Sequence, residues 1–93
     1  MDDEQAGNRR VYWHSRRGML ELDLLLMPFA ERAYPGLDPL LQAAYRRLLA
    51  EEDADIFAWI VNGAPLPDEE LVPIVERIVA YGRAPAAIPD QPL

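Results

Sequence analysis

Between Met19 and Ala30 the chain is almost continuously apolar: Leu20, Leu22, Leu24, Leu25, Leu26, Met27, Phe29 and Ala30 are broken only by Glu21, Asp23 and Pro28. A segment apolar over most of its circumference has to lie inside, so the remaining elements are expected to wrap it. Its leucine-rich composition, with no β-branched residue and no other strand candidate in the chain, favours a helix over a buried strand. Pro28 removes one backbone donor and crowds the carbonyl of Leu24, at a cost of about 3 kcal/mol that packing must offset. A bend is expected there, and the helix should continue to Arg32.

The flanking segments supply the wrapping. Asp38-Pro39 reads as an N-cap followed by proline at the first helical position, and Leu41, Ala44, Tyr45, Leu48 and Leu49 then make an i, i+3, i+4, i+7, i+8 stripe. Ala33 to Leu37, with Pro35-Gly36, is the turn before it. In Glu51-Glu52-Asp53-Ala54-Asp55 the acids suit a helix start, with Asp53 as the cap and Asp55 in the first turn; metal or general-acid chemistry is the weaker reading. That helix carries Ile56, Phe57, Trp59 and Ile60 and ends at Asn62-Gly63. A last helix opens at Asp68-Glu69-Glu70, turns Leu71, Val75, Ile78 and Val79 inward, bends at Pro73 and stops near Tyr81-Gly82.

At the other end, Arg9 to Arg17 reads as a short helix with Asn8 as its N-cap. Helical spacing would align Arg10, Trp13 or His14, and Arg17 on one strip, with Val11 and Tyr12 directed to the core. Trp13 is either part of that strip or a core anchor. The expected architecture is all-α, a small single-domain bundle of about five short helices. Residues 1–8 are expected to be a disordered tail, residues 9–83 the bundle, and the proline-rich residues 84–93 a second tail.

Composition narrows function by exclusion. Cysteine, lysine and threonine are absent, and His14 and Ser15 are the only histidine and serine. Thiolate metal sites and a cysteine nucleophile are therefore ruled out, and a lone histidine lacks the partners of a metal site. Adjacent His14 and Ser15 side chains diverge on a helix, so this chain is not expected to be an enzyme. A net charge of −7 disfavours nucleic acid and anionic lipid, both of which require a positive field. No apolar run is long enough to insert in a membrane, the start is too acidic for a mitochondrial transit peptide, and the expected location is the cytoplasm. The free chain is expected to be a monomer.

One local exception stands against the acidic background. Arg9, Arg10, Arg16 and Arg17 run without an intervening acid, and the last two lead into Gly18, Glu21 and Asp23. Basic residues closing one helix, a glycine at positive φ and acids opening the next would set both charge types at one exposed corner. Arg17 offers a planar fork of donors, Gly18 a backbone approach that any Cβ would block, and Glu21 an acceptor. The plainer possibility is a local Arg17–Glu21 pair, stabilising by well under about 1 kcal/mol if exposed.

Arg17-Gly18-Met19-Leu20-Glu21 fits an RGxxE signature. Trp13 lies four residues before Arg17, Met27-Pro28-Phe29 follows, and Asp53-x-Asp55-Ile56-Phe57-x-Trp59-Ile60 forms an acidic-aromatic block. Over residues 9–82 the chain resembles the succinate dehydrogenase FAD-assembly factors, small helical proteins that promote covalent flavin attachment. The resemblance implies that the partner is the flavoprotein subunit of succinate dehydrogenase, with fumarate reductase a second candidate client. It also implies a partner-binding set of Arg17, Gly18 and Glu21, joined by Arg10, Trp13, Arg16 and Met19, which would dock near the flavin-accepting histidine of the subunit and let the bond form there. No glycine loop of this chain would cradle a phosphate, so no tightly bound FAD is expected and the flavin belongs to the partner. The alternative readings are an acidic helical adaptor that uses the Arg10–Arg17 face for some other subunit, and a direct flavin carrier, which would purify yellow.

Overall fold

The structure, a computed structural model, describes residues 3–83 and contains five α-helices and no strand among those residues. They are α1 (Asp3–His14), α2 (Leu20–Arg32), α3 (Pro39–Leu48), α4 (Asp53–Ile60) and α5 (Val72–Arg83), with 3-10 turns at Tyr34–Gly36 and Glu69–Leu71. The all-α expectation holds. The proline-rich segment, residues 84–93, lies outside the described residues.

α1 starts at Asp3, not Arg9, so residues 3–8 are helical where a disordered start was expected. Asp3 and Glu4 fall in its first turn, where the dipole favours negative charge, and Asn8 is an interior residue instead of the cap. The helix also stops at His14, three residues short of Arg17. There the Ser15 amide closes back on the carbonyls of Val11 and Tyr12.

α2 continues through Pro28 to Arg32 and buries Leu22, Leu26, Phe29 and Ala30. Contrary to the expectation of a fully wrapped helix, Leu20 and Leu24 are 69% and 66% exposed. They lie one turn apart and share a face with Glu21 and Glu31, opposite the buried set. α1 packs on α2, and α5 packs on α2, α3 and α4, which makes α5 a second central element. The core joins the buried residues of α2 to Val11, Tyr45, Leu48, Leu49, Ile56, Ile60, Leu71, Ile74, Val75 and Ile78. Where α2 and α5 meet, a Cβ on Gly82 would stand only 2.8 Å from Leu25 Cδ2, so the glycine permits the close approach there.

The start of α3 forms as expected, with the Asp38 carboxylate accepting from the Leu41 amide at 3.0 Å and Pro39 following. α4 ends before Gly63, at φ +70, with the Ala64 amide donating to the Ala58 carbonyl at 2.9 Å. Glu52 holds the N-cap position of α4 and makes no side-chain bond, so Asp53 is not the cap; its carboxylate is engaged elsewhere. Pro73 stands in the first turn of α5, where its missing N–H costs nothing.

A polar network crosses the core beside α1. Ser15 is fully buried, its hydroxyl 2.8 Å from the Val11 carbonyl and 2.7 Å from the Tyr45 hydroxyl, which in turn lies 3.3 Å from the Leu26 carbonyl. Two hydroxyl protons thus serve three contacts that tie α1, α2 and α3 together. Among the described residues no helix is long and apolar enough to cross a membrane.

Candidate functional site

The non-helical link between α1 and α2, residues 15–19, is shaped by Arg17. Its Nε donates to Asp53 Oδ1 at 2.7 Å, Nη1 to the His14 carbonyl at 3.0 Å and Nη2 to the Glu51 carbonyl at 3.0 Å. All three guanidinium nitrogens therefore have internal acceptors, and the side chain is only 11% exposed. Arg17 is not an outward-facing fork on an exposed corner. It clamps the end of α1 to the junction of α3 and α4. Neither is it the partner of Glu21, which is exposed and pairs with no cation among the described residues.

A second clamp grips the backbone. Asp23, in the first turns of α2, accepts from the Arg17 amide at 2.7 Å through Oδ1 and from the Gly18 amide at 3.2 Å through Oδ2. Those amides sit at the positive end of the α2 dipole, so a carboxylate is well matched to them. Gly18 follows with φ +81, a conformation that other L-residues adopt only at a cost. Beyond its own chain neighbours no heavy atom lies within 4 Å of the point where its Cβ would be, so the surface above it is open.

Of the expected set, Arg16, Gly18 and Glu21 are exposed together at the mouth of α2, with Leu20 between them and Leu24 one turn on. Met19 is half-buried and packs on the core. Trp13 is 61% exposed, which removes the core-anchor reading; its ring stands edge-on to Tyr12 with centroids 5.2 Å apart. Arg10 and Trp13 open onto different grooves: Arg10 onto one lined also by His14, Gln42 and Arg46, and Trp13 onto one lined by Tyr12, Ala30 and Pro35. Arg10 and His14 do share a groove, but with Trp13 on another and Arg17 beyond the helix end, the predicted single strip of Arg10, Trp13 or His14, and Arg17 does not form.

The residues that sequence reasoning assigned to other work are Asp53, read as a cap, and Asp23, read only as a first-turn acid. A pairing between positions 17 and 53 leaves no local signal; only the presence of Asp53 in a shared sequence block pointed to it. Leu20 and Leu24 were absorbed into the apolar run. Among the described residues no three His, Cys, Asp or Glu side chains converge as a metal site.

Comparison with known proteins bears on the whole of this arrangement. Residues 9–82 match the family model described as flavinator of succinate dehydrogenase. A protein of Pseudomonas aeruginosa named FAD assembly factor SdhE is 51% identical over 71 residues, covering 76% of this chain and 84% of that protein. Proteins of the same name from Idiomarina loihiensis and Yersinia pseudotuberculosis are 45% and 40% identical, over 77% and 81% of this chain and 80% and 85% of theirs. The matched span contains both clamps, the glycine they hold and the exposed mouth of α2, and on that match the chain belongs to the family of flavinators of succinate dehydrogenase.

Proposed function

We propose that this protein binds the flavoprotein subunit of succinate dehydrogenase in the cytoplasm and promotes covalent attachment of FAD to it without itself catalysing the step. The observation that carries this reading is the family match across residues 9–82, which includes an exposed, open glycine at φ +81 held by two side-chain clamps. Gly18 leaves room for a partner backbone to come close, Glu21 offers an unpaired acceptor, and Leu20 and Leu24 offer apolar area beside them. Such a surface organises another protein's site by binding energy alone, and needs no nucleophile of its own.

The chemistry within this chain is consistent with that division of labour. Its only serine is buried and hydrogen-bonded. The amides of Arg17 and Gly18, just ahead of the start of α2, already bind the Asp23 carboxylate, a negative charge that would repel phosphate there. In this reading FAD is held by the flavoprotein subunit.

The test is in-gel flavin fluorescence of the denatured flavoprotein subunit, produced with and without this protein. A several-fold stronger signal in its presence is expected. Equal signals would overturn the proposal.

A further inference from the structure

We infer that Asp53 is a positioning residue for the assisted flavin attachment: through the Arg17 guanidinium it sets the orientation of the Gly18 corner, 35 residues away in sequence. The inference rests on the proposed function and names a residue outside the corner itself.

Three observations support it. The segment from Ser15 to Met19 has no helix or strand to shape it, so its path depends on side-chain bonds. Two carboxylates supply those bonds from opposite sides: Asp23 holds the backbone amides of Arg17 and Gly18, and Asp53 holds the end of the Arg17 side chain, whose other nitrogens reach the carbonyls of His14 and Glu51. Asp53 is also not needed by its own helix in the way Asp38 is, since Asp38 caps α3 through the Leu41 amide, whereas Asp53 lies inside α4 and makes no cap bond. The Asp53 side chain is 39% exposed and that of Arg17 11%, so the charged contact lies at the edge of the corner and not in the core. Loss of the carboxylate leaves the fork with two neutral acceptors and no counter-charge. The guanidinium can then swing toward water, and Gly18 moves with it.

The experiment titrates full-length protein against isolated flavoprotein subunit with FAD, and reads covalent flavin against factor concentration for the unaltered chain, Asp53→Ala and Asp53→Glu. In parallel, the Gly18 amide cross-peak is recorded in a proton–nitrogen correlation spectrum of each. Asp53→Ala is expected to raise the half-maximal concentration about tenfold, the order of a charge-assisted contact of ~1.4 kcal/mol, with the yield at saturation unchanged. Its Gly18 cross-peak should move while those of α5 stay. Asp53→Glu should restore both. Full assistance by Asp53→Ala at the unaltered concentration, or a loss that only follows the folded fraction by circular dichroism, would overturn the inference. No stimulation by the unaltered chain would overturn the proposed function instead; the Gly18 cross-peak then decides the Asp53 inference by itself, and an unmoved peak sinks it.

Discussion

Gly18→Arg is expected to lower assistance to flavin attachment by roughly thirtyfold or more while the helical circular dichroism spectrum persists. Two costs separate in this variant. The backbone cost comes from φ +81, which an L-residue adopts at about 1–2 kcal/mol. It is not compounded by a clash, because nothing beyond its own chain neighbours lies within 4 Å of the added Cβ. A domain with roughly 5–14 kcal/mol of stability survives it. The interface cost is larger. An arginine rising from the corner would meet the docked subunit, and a buried, unpaired charge costs about 2–5 kcal/mol, a loss of thirtyfold or more. Gly18→Ala carries the backbone cost without the bulk and charge, so it should fall between the two. Dose–response curves for the three proteins, beside thermal melts, make the check; unimpaired assistance by Gly18→Arg would remove the corner from the docking surface.

Tyr45→Ala should be the most damaging single change to the fold. The ring is fully buried against Phe29 and Tyr34, at centroid distances of 5.3 and 5.4 Å, and its hydroxyl is bonded to Ser15 and Leu26. Truncating a buried aromatic costs about 3–5 kcal/mol, which in a domain of this size lowers the melting temperature by roughly 15 °C or more. Tyr45→Phe should cost only about 1 kcal/mol at neutral pH, because Ser15 keeps the Val11 carbonyl.

The same hydroxyl makes stability fall in alkali. Burial, partly offset by the Ser15 hydrogen bond, pushes the Tyr45 pKa up from 10.0 to about 12. Below pH 10 both folded and unfolded states keep the proton, and the contribution of Tyr45 to stability is constant. Between about pH 10 and 12 the unfolded chain releases the proton first, and stability drops by up to ~1.4 kcal/mol per pH unit. Urea melts at pH 9 and pH 11 should show that decline in the unaltered protein and less of it in Tyr45→Phe. Equal declines would mean the network does not hold the proton.

Signals confined to a few consecutive residues were readable without coordinates. Asp38-Pro39 and the stripe after it place α3, Asn62-Gly63 ends α4, and Pro28 is carried inside a continuous α2. The start of α1 was not readable, because Asn8 imitates an N-cap whereas the helix begins at Asp3, with Asp3 and Glu4 in its first turn. The corner was legible by composition and misread in its physics. A run of arginines ahead of a glycine resembles a solvated basic face, but the acceptors for Arg17 come from residues 14, 51 and 53, which only the fold brings together. Likewise an apolar run cannot say which of its leucines remain outside, and Leu20 and Leu24 do.

In the proposed function the flavoprotein subunit docks at the mouth of α2. Amide hydrogen exchange of this protein, alone and with the subunit, tests it most directly, since the first amides of a helix lack intrahelical acceptors and exchange readily when exposed. Slowed exchange over residues 16–24 in the complex, with the outer face of α5 unchanged, is the expected result. Unchanged exchange over residues 16–24, with protection confined to α4 and α5, would place the partner on another face and rule out docking at the mouth of α2.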